Sequence, residues 1–294
     1  MSPIYKGTWA MLVGITLLSV DSLLIRLIHS SEWTLLFWRG LFSVVLILSV
    51  MLTLQTKSTI AAIRKPDKFL FLGSFAFSMS TICFVLSIEM TQVASTLIII
   101  NVSPLISALL AYIFLKERVD RRTLLAIVAA TAGIMFVFSD TALPDASLGN
   151  LMALITAFML ASYFVILRKT QSKNAPLYLV LGGFFTMVIA LFAGAEPFSL
   201  TQQEWIYILI LCVGVVPLSF VLISIGPRYL PAAHANLFML LEAILGPLFV
   251  WWGLGEVPSQ NVLIGGGIVL LTLVLFTVSA AKEKRSLNKK TSTD

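Results

Sequence analysis

The sequence predicts an all-α integral membrane protein of ten transmembrane helices, arranged as two inverted five-helix repeats. Three observations carry that expectation. First, 59% of the 294 residues are hydrophobic and 12% are charged, with a mean hydropathy of +0.99. A soluble core could not enclose so much apolar surface, so lipid must be the solvent. Second, ten apolar runs each approach the roughly 20 residues that a helix rising about 1.5 Å per residue needs to cross a hydrocarbon core about 30 Å thick. Third, residues 93–119, VASTLIIINVSPLISALLAYIFLKERV, return 139 positions later as AAHANLFMLLEAILGPLFVWWGLGEVP. The offset puts Ala94 on Ala233, Leu115 on Leu254 and Glu117 on Glu256, and an echo at 142 puts Arg26 on Arg168.

The runs, spans 1 to 10, lie near residues 7–29, 33–54, 69–88, 92–115, 121–139, 149–168, 176–194, 204–226, 231–253 and 261–281. Span 1 is long enough to cross and no small-residue cleavage site follows it, so it is expected to remain in the mature protein. The short connection at 30–32 makes spans 1 and 2 neighbours. Spans 4, 8 and 9 contain Pro104, Pro217 and Pro247, each of which removes an intrahelical hydrogen bond and kinks the backbone. Such kinks often flank a carrier's site, although neighbouring helices can equally re-satisfy the freed groups. Ala126, Ala129, Ala130 and Gly133 in span 5, and Gly265, Gly266 and Gly267 in span 10, permit close helix approach, within the chain or in a homodimer. Spans 7 and 9 open on Pro176 and Pro231, where a missing N–H costs nothing, and Thr201 with Glu204 fits a capping box opening span 8.

Basic residues orient these spans, because Lys and Arg accumulate on cytoplasmic loops. Of the 20 Lys and Arg, all but Arg26 and Arg39, that is 18, fall on one side of the arrangement. The opposite loops, at 30–32, 89–92, 139–150, 195–204 and 255–260, contain none. Both termini are therefore expected in the cytoplasm. Each half holds five helices, an odd number, so the halves must be inverted. The expected division is residues 1–144 for the first repeat, 145–281 for the second and 282–294 for a basic cytoplasmic tail lying against anionic lipid headgroups. The net charge of +6 reports this orientation and carries no nucleic-acid signal. Cys83 and Cys212 both fall inside spans, where they read as small hydrophobes rather than a disulfide.

Duplication within a membrane chain is the signature of alternating-access carriers, whose halves rock around a site near the bilayer midplane. Ionisable residues at that depth are costly and are functional candidates by default. Asp21 lies about 21 Å along span 1 and Arg39 about 9 Å into span 2 from the outer face, by helical rise, which places them at similar depth. They are expected either to pair with each other or to contact substrate. Arg26, near the outer end of span 1, can snorkel or meet Glu32 or Glu89. Glu242, about 16 Å along span 9, has no basic neighbour on its own helix except at the entrance. It is expected to carry a proton, to be the counter-charge for a substrate ammonium, or to be a neutral Glu hydrogen-bonded to another helix.

Its repeat partner is Ser103, beside Asn101 and Pro104 in span 4. Phe238, Met239 and Glu242 share one helical face by spacing, and Asn236 stands nearer the cytoplasm as a candidate inner gate. Tyr163, in span 6, falls on Asp21 at the offset of 142. The expected substrate site is therefore Asp21, Arg39, Asn101, Ser103, Tyr163, Asn236, Phe238 and Glu242. Thr16, Ser19, Ser22 and Ser162 are either further lining or interhelical hydrogen-bond formers. Trp33, Trp38, Trp205, Trp251 and Trp252 read as an aromatic belt, with Trp38 unusually deep. With His29 and His234 as the sole histidines and no acidic or metal-ligand cluster in the spans, no catalytic, metal or cofactor site is expected.

FWRG at 37–40 and the paired span endings SPLISALLAYIFLKE at 103–117 and EAILGPLFVWWGLGE at 242–256 resemble the ten-helix EamA-type carriers of the drug/metabolite transporter superfamily, over essentially the whole chain. Leu241 and Glu242 match the Leu-Glu of a family Leu-Glu-Pro, with Ala243 in place of the proline and Pro247 a turn later. The resemblance implies an exporter of small metabolites, often amino acids or related compounds, in a bacterial inner membrane, with a central cavity between the repeats. It also implies that Glu242 and Arg39 belong to shared machinery more than to substrate choice. Asp21 and Glu242 against Arg39 favour a zwitterionic substrate such as an amino acid. A lipophilic cation carried by an exporter, or a channel, are the alternatives.

Overall fold

The structure, a computed structural model, describes residues 3–28, 30–54, 67–90, 93–117, 121–137, 147–171, 175–230 and 238–254, with Ile60, Ile63, Ala235 and a few positions between 264 and 275. Among the described residues every regular element is helical, as the apolar patterning requires, because a backbone in lipid must satisfy its own hydrogen bonds. The elements are α1 (Pro3–Leu18), α2 (Asp21–Leu27), α3 (Glu32–Leu54), α4 (Lys68–Met90), α5 (Val93–Ile100), α6 (Ser103–Leu115), α7 (Arg121–Val137), α8 (Ser147–Thr170), α9 (Ala175–Phe192), α10 (Gln202–Leu209), a π-helical turn (Ile210–Val215), α11 (Val216–Tyr229), a 3-10 turn (Met239–Leu241) and α12 (Glu242–Leu254).

Six stretches are long and apolar enough to cross a membrane: Tyr5–Ile25, Glu32–Thr53, Lys68–Met90, Leu148–Thr170, Ala175–Phe192 and Gln202–Tyr229. They coincide with expected spans 1, 2, 3, 6, 7 and 8. Span 4 is divided into α5 and α6, and α7 in span 5 has 17 residues. Span 9 is described from Phe238 onward, and nearly all of span 10 lies outside the described residues. The protein is thus a multi-pass, all-helical membrane protein.

Four of the spans are interrupted. In span 1 the Ser19 hydroxyl donates to the Ile15 carbonyl at 2.8 Å and the Val20 N–H turns back to the Leu17 carbonyl at 3.2 Å, tightening the last turn of α1. Serine back-bonding of this kind bends helices. In span 4 Pro104 removes an N–H and clashes with the carbonyl four residues back. That residue is Ile100, where α5 ends. Pro217 has the same relation to Val213, and there the chain widens into the π-helical turn. In span 9 the irregular turn precedes Glu242 and lies upstream of Pro247, so the expected proline kink is displaced. The capping box of Thr201 and Glu204 opens α10 as expected.

Packing follows a paired pattern. Helix α4 lies along α8, and α1 lies along α11; α6 packs on α8, and α12 packs on α2; α3 lies along α9. Helices α3 and α9 approach closely because Gly40 and Gly183 meet. A Cβ at Gly40 would stand 2.5 Å from the Gly183 carbonyl oxygen, and one at Gly183 would stand 2.9 Å from the Gly40 carbonyl oxygen. Small residues permit such backbone contact between membrane helices. Of the small residues expected to serve this purpose, Ala126 is buried in the core and Ala129 is exposed, Gly267 has no described atom within 4 Å of a would-be Cβ, and the side-chain positions of Ala130 and Gly133 and the whole of Gly265 and Gly266 lie outside the described residues.

Candidate functional site

The interruptions of spans 1, 4 and 9 line one cavity of about 50 Å³. Asp21, the first residue of α2, and Arg39 of α3 line it on one side. Asn101 at the α5–α6 break and Ser103, the first residue of α6, line another, and Met239 and Glu242, the first residue of α12, complete it. Three helices thus begin at the cavity with a polar or acidic residue. Ser80, Thr81 and Phe84 from α4, Thr156 and Leu160 from α8, and Phe220 from α11 fill the remaining wall. A cavity of this volume holds a few water molecules and is too small for an amino acid.

Arg39 and Asp21 form a buried ion pair. Nη1 donates to Oδ1 at 2.8 Å and Nη2 to Oδ2 at 2.6 Å, with side-chain exposures of 4% and 1%. The two-pronged geometry is the strong form of an arginine–carboxylate contact. It uses the terminal edge of the guanidinium and leaves Arg39 Nε buried without a partner. The side chain of Glu242, half-buried at the cavity wall, makes no hydrogen bond or ion pair among the described residues. The site therefore holds one neutralised pair and one further carboxyl group.

Of the expected site residues, Asp21, Arg39, Asn101, Ser103 and Glu242 line this cavity. Tyr163 does not. It is fully buried, its ring lies 5.2 Å from that of Phe77 and 5.7 Å from that of Phe164, and its hydroxyl has no partner. The offset that mapped it onto Asp21 fails because α8 runs unbroken through residue 163, whereas a new helix begins at Asp21. Phe238 is also buried away from the cavity. The 3-10 turn has about 3.0 residues per turn in place of about 3.6, so Met239 and Glu242 keep a shared face and Phe238 leaves it. Asn236 lies outside the described residues, as do His234 and the side chain of Arg26. Thr16, Ser19 and Ser162 back-bond to their own helices and make neither of the contacts expected of them. The hydroxyls of Ser80, Thr81 and Thr156 were missed because they sit in α4 and α8 among apolar residues with no charge beside them.

Two further contacts tie the bundle at its ends. The Trp38 Nε1–H donates to the Pro197 carbonyl at 3.1 Å, its ring lies 4.7 Å from that of Trp205, and the Glu196 N–H donates to Thr34 Oγ1 at 3.0 Å. The depth of Trp38 thus serves a clamp between α3 and the segment before α10. At the other end Arg168 Nε donates to Glu117 Oε1 at 2.7 Å, joining the segment just after α6 to α8. Cys83 and Cys212 are buried free thiols.

A helical bundle with six membrane-length apolar stretches and a cavity of mixed polar and apolar lining where broken helices converge has the architecture of a membrane transporter. Its sequence matches the model of the EamA-like transporter family over residues 1–139 and again over 147–278. The chain belongs to the EamA-like transporter family. An uncharacterized transporter of Archaeoglobus fulgidus is 23% identical over 272 residues, covering 92% of this chain and 95% of that protein. The Bacillus subtilis transporter YetK is 27% identical over 215 residues, covering 67% and 64%. A riboflavin transporter of Vibrio cholerae is 25% identical over 193 residues, covering 62% of each. A solved structure described as the crystal structure of a protein superposes with a TM-score of 0.81 at 14% identity, covering 94% of this chain and 99% of that one, which bears on the fold alone.

Proposed function

We propose that this transporter is an alternating-access carrier that exports a small amphipathic metabolite of the amino-acid type across a bacterial inner membrane, with the cavity around Glu242 as its substrate site. The observation that carries the reading is Glu242 itself: a carboxyl group at the start of a half-helix, without a partner among the described residues, beside a pair that already neutralises itself. An ammonium group arriving from solution is the natural complement of such a group. The same carboxyl can bind a proton when the substrate leaves, which would couple export to proton entry.

The inverted-repeat division at 1–144 and 145–281 supports the transport cycle. Helices α4 with α8, and α11 with α1, are pairings exchanged by the repeat. Gly40 and Gly183, 143 positions apart, touch each other reciprocally, as residues on a two-fold axis do. Rocking one half on the other about that contact would move the cavity from one face to the other. In this reading the Trp38 clamp closes the outer side and Glu117 with Arg168 holds the inner side, and both termini are cytoplasmic.

A second reading, a lipophilic-cation exporter, is favoured by the apolar wall of Phe84, Phe220 and Met239 around the same carboxyl. The test is counterflow in proteoliposomes holding the purified protein, with labelled amino acids, lipophilic cations and riboflavin as probes. Saturable exchange of amino acids, lost by about tenfold or more in Glu242→Gln as expected for a charge-assisted contact, supports the first reading. Exchange of cations alone establishes the second. Unsaturable flux of all probes would make the protein a channel.

A further inference from the structure

We infer that the free side edge of the Arg39 guanidinium is a carboxylate subsite, so that the transporter selects substrates bearing a carboxylate beside their ammonium group. The inference rests on the proposed substrate site and names the group that the site reads.

A guanidinium has two edges able to accept a planar carboxylate: the terminal edge, with both Nη atoms, and the side edge, with Nε and one Nη. Asp21 occupies the terminal edge, one oxygen on each Nη. The side edge keeps its Nε–H buried and unpartnered. Buried donors are nearly always satisfied, and an orphan at a site is a place where a ligand or ordered water completes the bonding. Arg39 is itself cavity-lining and only 3% exposed, so an acceptor that reaches it must come through the cavity.

Charge supports the same occupant. Asp21 and Arg39 cancel, and Glu242 faces the same space. A bare anion on the side edge would confront two carboxylates, Asp21 and Glu242, with one guanidinium between them. An α-amino acid brings its own ammonium a few ångströms from its carboxylate and can place the ammonium on Glu242 while the carboxylate takes the Arg39 side edge. Asp21 is then a positioning residue: by holding the terminal edge it fixes the plane of the guanidinium and leaves a single edge to the substrate. Apolar side chains of the substrate would lie against Phe84 and Phe220. The cavity must expand for this, which the broken helices at its wall permit.

The experiment is counterflow of each amino acid against two analogues lacking the free carboxylate, the corresponding amine and the amino-acid methyl ester, in proteoliposomes of the whole protein. The expected result is a preference of about tenfold or more for the amino acid, the size of one charge-assisted bond, falling toward unity in Arg39→Lys, whose compact ammonium has no side edge. Equal exchange of amino acids and both analogues by the unaltered protein would overturn the subsite while leaving the carrier reading intact. A ratio unchanged in Arg39→Lys would overturn it as well. Absence of exchange for every compound would instead remove the carrier reading on which the subsite stands. Because the analogue comparison needs no variant, a poorly folding Arg39→Lys protein leaves the test decisive.

Discussion

At the scale of single residues, Asp21 and Arg39 were legible as an alternative. Helical rise put them at one depth, and the structure joins them through two bonds at 2.8 and 2.6 Å. What the sequence could not state was the break at Ser19 and Val20, which sets Asp21 at a helix start. The same ambiguity misplaced Tyr163, since offset arithmetic assumes both halves bend alike. A buried pair has a testable asymmetry. Removing one member leaves the other charged and unpaired, which costs about 3–5 kcal/mol, whereas replacing both by apolar residues of similar size is often neutral or better. Asp21→Ala should therefore unfold in detergent at markedly lower temperature or denaturant concentration than the native protein. The double variant Asp21→Leu with Arg39→Met should recover most of that loss while remaining inactive in counterflow. Equal stability of the single and double variants would show that the pair is not buried as described.

At the scale of elements, the six long spans were readable from hydropathy because a bilayer demands length and apolarity together. The interruptions were only partly readable. Pro104 and Pro217 mark two of them, and the other two arise where no proline stands within the disturbed turn. Helix packing was hidden for a different reason: glycines occur throughout the chain, and only the assembled bundle shows which meet. Gly40 meets backbone atoms of α9, which cannot move aside, while a Cβ at Gly226 would meet the thioether of Met11, a flexible side chain. Gly40→Ala should accordingly destabilise by about 1–3 kcal/mol or more, the range for overpacking, and Gly226→Ala by less, although its nearest contact is the tighter of the two. Thermal unfolding of the two variants side by side tests this, and a larger loss at Gly226 would contradict the rigid crossing of α3 and α9.

At the scale of the whole molecule, the asymmetry of basic residues is the most economical prediction the sequence makes, because it uses 18 of 20 charges to orient every span at once. In intact bacterial cells, cysteines placed at Ser31 and Ser199 in a background without Cys83 and Cys212 should react with a membrane-impermeant maleimide. Cysteines at Ser58 and Thr291 should react after the cells are broken open. Labelling of Ser58→Cys in sealed cells would reverse the orientation, and the assignment of inner and outer clamps with it. The repeat also explains why the substrate's chemistry was less legible than the frame. Ser103 and Glu242 are mates at 139 positions and both line the cavity, yet one is a hydroxyl and the other an acid, and that departure from symmetry gives the cavity a sign.

That sign has an electrical consequence. With Asp21 and Arg39 cancelling, an empty site with Glu242 ionised carries one unbalanced negative charge among its described groups. Carrying one elementary charge through a membrane potential involves about 2.3 kcal/mol per 100 mV. A zwitterion leaves that charge unchanged, whereas a proton or a simple cation cancels it. In the proposed carrier, the current accompanying each turnover would report what sits on Glu242 during the return stroke, and voltage would drive, stall or reverse it.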